Sequence, residues 1–553
     1  MELRPGFSYW WMTLLAQKCN YGASPEIDDA IRMMTFDAWA TGRTLESVTL
    51  ASANRPLADC MRLWCAKSGV AFKWECLPGP VVRSPWTRRV YNSLPLFLQA
   101  WSWLVHYAMN RWPLRGVGLK EWRQAEGRTT FVSYFFNLTP GSAAEGRYES
   151  LYWAHLPEVL RRKGCKTNWL HLFVNDGALP EVGDAAHTIR NFNKAGEDAQ
   201  VHLPLDAFLT IRVLFRAIRD WLKIAWTARS LPKKVAAVAS EGVPLWPLFE
   251  ADWRRSVVGP TAMGNSLSLN LFESAMKSLP KQRIGVYLQE NQGWEIGLIQ
   301  AWRTAGHGQL IGCPHSTVRY WDLRYYFDPR SYSRKPDHAL PLPDRIAVNG
   351  GAAMKAFLSG GYPADQLTEV EALRYVYLEQ FRTVSRKDST LSKQARRLVV
   401  FGDYLPRSTH MQMRLLEQAV PFLPMGTSFM VKPHPACPIK REDYPGIPMT
   451  VTMVPIRMLL LQCDVVYTSE MTSAAVEAYC AGLPVISVRD PNTLNLSPLL
   501  GREGVVFVST PDELAHAMNS SLNTPSSVRK DPEFFALDVD LPRWTQLLLE
   551  AAE

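Results

Sequence analysis

The sequence has no cysteine spacing of the kind that a disulfide framework or a structural zinc site requires. Its nine cysteines among 553 residues are an odd number, they are scattered, and none forms a Cys-x-x-Cys pair. This pattern argues against both kinds of site and favours a reducing, cytoplasmic setting. The first residues also lack a basic stretch followed by a long apolar core, so no signal peptide is expected.

The fingerprints of dinucleotide oxidoreductases and P-loop NTPases are missing as well. The glycine pairs at positions 350–351 and 360–361 form neither Gly-x-Gly-x-x-Gly nor a phosphate loop that ends in Lys-Ser or Lys-Thr. The single Asp-x-Asp, at 538–540, lies in the C-terminal tail, far from any nucleotide-binding pattern. We therefore expect no metal site and no bound cofactor.

Acidic residues are fewer than basic ones, with a net charge of +9 and a pI of about 9.0. Such a balance suits nucleic acid, an anionic membrane surface or an acidic substrate. The 20 tryptophans favour a membrane interface, because indole rings prefer the headgroup region. Since no nucleic-acid recognition motif is present, we expect an anionic membrane surface as a partner and no nucleic acid.

The N-terminal part combines a small βαβ pattern with a tryptophan-rich, uncharged run. Residues 47–75 read as strand, helix and strand. Residues 90–110 contain no charged side chain and are bracketed by Arg88, Arg89 and Arg111. A bilayer span needs about 20 predominantly apolar residues, and polar side chains interrupt this run. Two alternatives stay open, a helix that lies in the membrane interface and a buried core helix.

A second candidate membrane element is the amphipathic helix predicted over residues 205–229. Its apolar side chains recur at steps of three and four and are Phe208, Ile211, Phe215, Ile218, Leu222 and Ala225. Its basic face consists of Arg212, Arg216, Arg219 and Lys223. Such a helix suits an anionic membrane surface. The alternative is an ordinary helix that packs its apolar stripe in the core and leaves its basic face in water.

Strand and helix patterns alternate from about residue 131 onward, which predicts an α/β protein with doubly wound parallel sheets. Strand patterns of the first half lie at 130–136, 169–174, 283–288 and 310–312. Those of the second half lie at 345–348, 398–401, 429–431, 465–467, 485–488 and 505–508. The predicted domains are 1–125, 126–340 and 341–525, followed by a helical tail over 526–553.

Polar residues follow two strands of the second half, and open α/β sheets bind their ligands at such strand ends. The strand at 429–431 leads into Lys432, His434 and Pro435. His434 stands between two prolines, which restrict the backbone, and its ring can bind a phosphate oxygen with help from the charge of Lys432. The alternative is a structural turn with an exposed histidine.

The strand at 465–467 leads into a second polar group. Ser469 and Glu470 can contact the phosphate, the base or the donor sugar. Thr472 and Ser473 open a helical pattern, where free N–H groups and the helix dipole favour phosphate. Glu477 lies further along that helix, and its carboxylate can accept hydrogen bonds from ribose hydroxyls. The alternative for Glu477 is a solvent-exposed helix acid.

Candidate catalytic groups follow two strands of the first half and are Glu290, Glu295, His315 and Asp322. A transferase that inverts configuration needs one carboxylate or imidazole to take the proton of the acceptor hydroxyl. A retaining enzyme can use a carboxylate nucleophile instead. Glu290 and His315 are preferred, although the sequence does not separate them from Asp322.

Basic and aromatic residues surround these candidates. Arg319 and Arg324 can bind the carboxylate of an acidic sugar through the bidentate guanidinium fork. Trp321 and the neighbouring tyrosines can stack on sugar faces. The alternative for the aromatic side chains is packing in the core.

These motifs resemble those of known glycosyltransferases. The Lys-Pro-His-Pro element at 432–435 resembles the His-Pro motif of bacterial sialyltransferases and Kdo transferases, which use CMP-activated sugars. The hydroxyl-rich element at 467–478 is similar to their phosphate-binding motif. The blocks at 287–295 and 312–325 resemble bacterial surface-carbohydrate (O-antigen) biosynthesis transferases. The resemblance covers about residues 131–509.

The resemblance implies a metal-independent GT-B glycosyltransferase with two Rossmann-like domains facing a cleft and a C-terminal helix that packs back on the first half. It implies a peripheral protein on the cytoplasmic face of a bacterial inner membrane. The expected reaction moves Kdo or a nonulosonic acid from a CMP donor to a surface polysaccharide or a lipid-linked glycan precursor, with UDP and GDP donors left open. The alternative is a non-catalytic assembly or export protein on the same fold.

Overall fold

The computed structural model describes residues 1–18, 26–78, 85–135, 138–139, 141–175, 179, 181–195, 199–229, 231, 242–333, 339–383, 397–523 and 533–549. The chain divides into two compact units. The first contains Met1–Ser150, Leu160–Gly312 and Phe327–Arg345. The second contains Leu151–Val159, Cys313–Tyr326 and Ile346–Glu553. The predicted segment 1–125 lies within the first unit, and the described part of the predicted tail lies within the second.

The helices are α1 (Leu14–Gln17), α2 (Ile27–Ala40), α3 (Arg55–Ser68), α4 (Trp86–Ser93), α5 (Leu96–Arg111), α6 (Leu119–Arg123), α7 (Leu156–Arg162), α8 (Val182–Ala195), α9 (Ile211–Ala228), α10 (Trp246–Val257), α11 (Pro260–Ser278), α12 (Gly293–Thr304), α13 (Arg330–Ser333), α14 (Gly351–Ser359), α15 (Gln380–Thr383), α16 (Pro406–Ala419), α17 (Ile456–Leu460), α18 (Ser473–Cys480), α19 (Pro511–Asn523) and α20 (Pro542–Leu549). At the start of α20, the backbone N–H groups of Arg543 and Trp544 donate to the carboxylate of Glu371.

Two small sheets lie at the start of the chain. The first is an antiparallel pair, β1 (Glu2–Arg4) and β2 (Phe7–Ser8). The second is a parallel pair, β3 (Ser47–Ser52) and β4 (Ala71–Cys76), joined by α3. This pair confirms the βαβ unit predicted over residues 47–75.

The larger sheets have seven and six strands. The seven-stranded sheet contains β5 (Thr129–Phe135), β6 (Thr167–Phe173), β7 (Gln200–Pro204), β8 (Ile284–Leu288), β9 (Gln309–Cys313), β10 (Arg345–Val348) and β11 (Leu367–Glu369). Its spatial order is β11-β10-β9-β8-β5-β6-β7. The direction of progression therefore reverses between β5 and β8, as it does in doubly wound folds. Its central strand β8 is buried at every position, as expected for a strand with both faces covered.

The six-stranded sheet contains β12 (Leu398–Phe401), β13 (Phe429–Lys432), β14 (Met449–Val451), β15 (Val465–Ser469), β16 (Val485–Val488) and β17 (Val505–Val508). All of its neighbouring pairs are parallel, in the order β14-β13-β12-β15-β16-β17. This order is that of a dinucleotide-binding Rossmann sheet, with its reversal between β12 and β15. The prediction of two doubly wound parallel sheets is confirmed.

The helices at the two predicted membrane elements have other bounds than the sequence predicts. The uncharged run 90–110 is divided between α4 and α5, because Leu94 precedes Pro95 and adopts an extended backbone. The helix predicted from residue 205 begins at Ile211, where Thr210 accepts the amide of Val213 as its N-cap. Among the described residues, no helix is both long and apolar enough to cross a bilayer.

Candidate functional site

The reversal point of the six-stranded sheet is held together by a buried carboxylate. Asp403 follows β12 and is fully buried. Its side chain accepts hydrogen bonds from the hydroxyl of Ser469, which ends β15, and from the amide of Leu405 at 2.9 Å. The two loops at the ligand-binding edge are thereby joined. Sequence reasoning missed Asp403, although a carboxylate two residues after a buried strand was a usable signal.

His434 follows β13 at the same edge and presents an exposed ring. Its Nδ1 accepts the amide N–H of Ala436 at 3.1 Å, so the neutral ring carries its proton on Nε2. Burial lowers the pKa of His434, Asp403 opposes that effect, and the charges of Arg374 and Lys432 add to it. His434 is therefore a neutral N–H donor at pH 7. Pro435 continues the exposed turn.

Lys432 ends β13 and is partly buried. Its ammonium donates to the carbonyl of Met453 at 3.4 Å. Burial lowers the pKa of this group. Lys432 thus contributes positive charge beside the loop that carries His434.

Glu470 follows β15 and has a buried carboxyl group whose pKa is raised. Burial raises its pKa to about 7, the hydrogen bond from Thr493 acts in the opposite direction, and the charges of Asp490 and Asp403 add to the effect of burial. One carboxyl oxygen accepts that hydroxyl at 3.4 Å, while the other is buried without a partner among the described residues. A group of this kind can exchange a proton near neutral pH, which is typical of functional sites.

The start of α18 follows the pattern predicted from the sequence. Thr472 is the N-cap, and its hydroxyl accepts the amide of Ala474 at 3.3 Å. Ser473 is the first helical residue, at the positive end of the helix dipole. Glu477 is buried rather than solvent-exposed and accepts a hydrogen bond from the hydroxyl of Tyr377. Burial raises the pKa of Glu477. We call the edge formed by Asp403, His434, Ser469, Glu470, Thr472 and Ser473 the donor edge.

Two arginines of the second unit lie near this edge. Arg374 stands 5.7 Å from the ring of Tyr375, and its charge acts on the pKa of both His434 and Glu477. Arg319 lies over the ring of Tyr404 at 5.6 Å. Neither guanidinium forms an ion pair with a carboxylate of the described residues. Sequence reasoning missed Arg374, because the 3-10 turn that places it carries no recognisable motif.

The segment 313–326, predicted to serve the acceptor side, is counted with the second unit. His315 is buried, its ring lies 4.6 Å from that of Tyr152, and both line a small cavity with Arg374. Asp322 is buried and forms a bidentate ion pair with Arg324 at 2.9 and 2.7 Å. The opposite charges of Asp322 and Arg324 therefore compensate each other, and the ion pair holds the local turn in place.

Trp321 is the exposed aromatic residue of this segment. It adopts a left-handed φ of 53°, which a bulky side chain rarely adopts. Its ring stacks on that of Tyr320 with 5.9 Å between centroids and 15° between planes. Trp321 is 44% exposed and Tyr320 is 45% exposed. The pair therefore presents a flat aromatic surface to solvent, which suits a sugar face.

Glu290 lies in the first unit, directly beyond the carboxyl end of β8. Its carboxylate accepts hydrogen bonds from the hydroxyl of Tyr134 on β5 at 3.3 Å and from the side chain of Gln292. The group therefore sits where the order of the seven-stranded sheet reverses. The residue is partly exposed.

Glu295 has a structural role in the same loop. Its carboxylate accepts the backbone N–H groups of Glu290, Asn291 and Gln292 at 2.8, 3.0 and 3.0 Å. Together with the side chain of Gln292 it forms the capping box of α12. Burial raises the pKa of Glu295 to about 8, while these N–H groups act in the opposite direction. Its oxygens are thus used to hold the loop that carries Glu290.

Replacing Glu295 by alanine is expected to destabilise the protein by about 3 kcal/mol, because three backbone N–H groups then lose their acceptor. The measurement is urea-induced unfolding followed by tryptophan fluorescence. The exposed helix acid Glu121, changed to alanine, is the control and is expected to cost about 0.5 kcal/mol or less. Equal stability of both variants would contradict the structural role of Glu295.

A polar cleft opens beside the end of β6 in the first unit. It has a volume of about 450 Å³, and its lining includes His106, Tyr107, Asn110 and Arg111 of α5. One terminal nitrogen of Arg111 is buried without a hydrogen-bond partner among the described residues, and its guanidinium group lies over the ring of Phe173 at 4.3 Å. Sequence reasoning missed this cleft, because it considered residues 90–110 only as a membrane-interface helix or a buried core helix.

The structure therefore divides the predicted site residues between the two units. The second unit contains Lys432, His434, Pro435, Ser469, Glu470, Thr472, Ser473 and Glu477, and also His315, Arg319, Trp321, Asp322 and Arg324. The first unit contains Glu290 and Glu295.

No protein-family model matches the chain, and no curated protein matches it significantly. A similar solved structure is Anabaena HepE in complex with UDP, with 13% identity and a TM-score of 0.36 over 73% of this chain and 92% of that protein. UDP-GlcNAc 2-epimerase from Neisseria meningitidis bound to UDP-GlcNAc has 8% identity and a TM-score of 0.44 over 77% and 99%. The calicheamicin glycosyltransferase has 10% identity and a TM-score of 0.38 over 77% and 95%. At these values the likenesses carry no functional argument.

Proposed function

We propose that this chain is a GT-B glycosyltransferase that transfers a sugar from a nucleotide donor to a glycan or lipid-linked glycan acceptor. The observation that carries the proposal is the donor edge. A neutral N–H donor at His434, a carboxyl group of raised pKa at Glu470 and the start of α18 occupy the carboxyl edge of a Rossmann-ordered sheet. Such edges bind nucleotides and their phosphates.

The charges near the donor edge favour an anionic ligand. Arg319 and Arg374 have no carboxylate partner among the described residues, so each has hydrogen-bond donors to offer to a ligand. Guanidinium groups bind phosphate and carboxylate through paired hydrogen bonds. The resemblance of the motifs to those of CMP-dependent transferases and these two arginines together support a CMP-linked acidic sugar. In that donor, one arginine would bind the phosphate and the other the sugar carboxylate.

The acceptor side is proposed for the first unit. Glu290 is the proposed base that takes the proton of the acceptor hydroxyl. The polar cleft beside β6 is the proposed place for a polar part of the acceptor, because its lining offers the polar side chains of His106, Asn110 and Arg111. In line with the resemblance, the acceptor is a bacterial surface polysaccharide or its lipid-linked precursor, and the protein works on the inner face of the cytoplasmic membrane.

The proposal is tested first by nucleotide binding. His434→Ala and Arg374→Ala are each expected to weaken binding of the preferred nucleotide by roughly 10- to 100-fold, as the loss of a hydrogen bond to a charged group does. The measurement is titration calorimetry with CMP, CDP, UDP and GDP, and CMP is expected to bind most tightly. Exposed residues of the same unit serve as controls, with His516→Ala and Arg441→Ala expected to bind like wild type.

Two results would overturn the proposal. Absence of binding to all four nucleotides would remove the donor edge as a nucleotide site. Binding without any sugar transfer or donor hydrolysis would favour a non-catalytic assembly or export protein on the same fold.

A further inference from the structure

Helix α9 has apolar side chains on two opposite faces. Val213, Ala217, Trp221 and Ile224 are buried. Three side chains of the apolar stripe predicted from the sequence are instead exposed, with Ile211 at 62%, Phe215 at 69% and Leu222 at 54%, and Trp226, which was not part of that prediction, is 67% exposed. The spacing of these four residues places them on one face. The helix thus contributes to the core and, among the described residues, still presents an exposed apolar stripe.

A second exposed apolar stripe lies on the preceding helices of the same unit. On α4, Trp86 and Val90 are 69% and 51% exposed. On α5, Phe97, Val105 and Met109 are 47%, 53% and 72% exposed. Clusters of exposed large apolar side chains on a soluble protein commonly mark a binding surface.

Helices α5 and α9 are in contact. The rings of Trp101 on α5 and Trp221 on α9 meet edge to face, with 6.1 Å between centroids. Both helices pack against α11. We call the exposed apolar residues of α4, α5 and α9 the apolar surface. It consists of Trp86, Val90, Phe97, Leu98, Trp101, Val105, Met109, Ile211, Phe215, Leu222 and Trp226.

The charged side chains of α4, α5 and α9 are, with one exception, basic. Asp220 is the only acidic residue in the sequences of α4, α5 and α9. It is buried, with its carboxylate bound by Arg4 and Asn270. The exposed basic residues of these helices include Arg88, Arg89, Arg212, Arg219 and Lys223. An apolar face with a basic border is the pattern of a helix that lies in an anionic membrane interface.

We propose that the apolar surface of the first unit binds the face of an anionic lipid bilayer. Tryptophan and phenylalanine side chains would enter the headgroup region, and the arginines would meet lipid phosphates. A second copy of the chain fits this surface less well, because it would bring an equally basic border against the first. The surface is separate from the donor edge in the second unit, so the proposal does not depend on the proposed sugar transfer.

The test is co-sedimentation with phosphatidylcholine vesicles, with and without about 30% phosphatidylglycerol, at low and high salt. Wild type is expected to bind only the anionic vesicles and to be released by salt. The double variant Phe215→Ser with Trp226→Ser is expected to lose about tenfold or more of its partition into anionic vesicles, since two large side chains can no longer be buried. Phe422→Ser, in the second unit, removes a phenylalanine that is 59% exposed and is expected to bind like wild type.

A charge variant and the oligomeric state complete the test. Arg212→Gln with Arg219→Gln is expected to weaken binding by about fivefold for each charge removed, with a smaller response to salt.

No binding to anionic vesicles at low salt would overturn the proposal. Equal binding to both vesicle types, with no effect of salt, would overturn the proposal that the basic side chains are attracted by anionic lipids. A wild-type dimer that the double variant converts to a monomer, with no vesicle binding, would assign the surface to self-association. Nucleotide affinity, measured on the same preparations, reports the donor edge separately.

Discussion

Nucleotide binding by the wild-type protein is expected to weaken about tenfold for each pH unit above about 7, and Glu470→Gln is expected to abolish this dependence. Burial raises the pKa of Glu470 to about 7. Below that pH the carboxyl group is neutral and can donate its O–H to a phosphate oxygen. Above it the ionised carboxylate repels the phosphate, so affinity falls as the pH rises. The amide of glutamine stays neutral at every pH.

The measurement is calorimetric titration of the preferred nucleotide from about pH 6 to pH 9, where two units above the pKa correspond to about a 100-fold loss. Glu503→Gln removes an exposed carboxylate from the same unit and is the matched control. It is expected to show the wild-type pH profile. An unchanged slope in Glu470→Gln would mean that another group carries the titration. A flat wild-type profile would place Glu470 away from the phosphate.

The central strands of both sheets could be predicted from the sequence, and the edge strands largely could not. β8, β12 and β15 are buried at every position, so each appears as a continuous apolar run. β7, β11 and β14 lie at sheet edges and were not predicted. β14, for example, has one buried residue of three, and so short a strand with a polar face has no periodic signal. The reversal points depend on central strands, which is why the sequence placed the strands at these points correctly.

The candidate site was predictable where a motif directly follows a strand. His434 and Thr472 lie where the sequence places them, at the end of β13 and at the N-cap of α18. The capping role of Glu295 could also have been predicted from the sequence, because Gln292-x-x-Glu295 has the spacing of a capping box. The position of Arg374 could not be predicted from the sequence, because a short 3-10 turn and long-range packing determine where its side chain lies. Likewise, sequence spacing alone does not reveal that Arg324 neutralises Asp322.

Glu290→Gln is expected to reduce sugar transfer by about 10²- to 10⁴-fold, the usual contribution of a positioned base. Glutamine keeps the size of the side chain and can still accept the hydroxyl of Tyr134, but it cannot take a proton. Nucleotide affinity is expected to stay at the wild-type value, because the donor edge belongs to the second unit. The measurement is therefore paired, with turnover on a surface-glycan acceptor and calorimetry on the same preparation.

The control for Glu290→Gln is Glu121→Gln, an exposed acid of the same unit that lies on α6, and it is expected to keep full turnover. Glu290→Gln conserves the backbone N–H groups that Glu295 binds, so a loss of transfer with normal unfolding stability points to the carboxylate itself. Full turnover in Glu290→Gln would exclude it as the base and leave His315, whose substitution by alanine is the next measurement. Loss of nucleotide affinity in Glu290→Gln would mean that the first unit also contributes to donor binding.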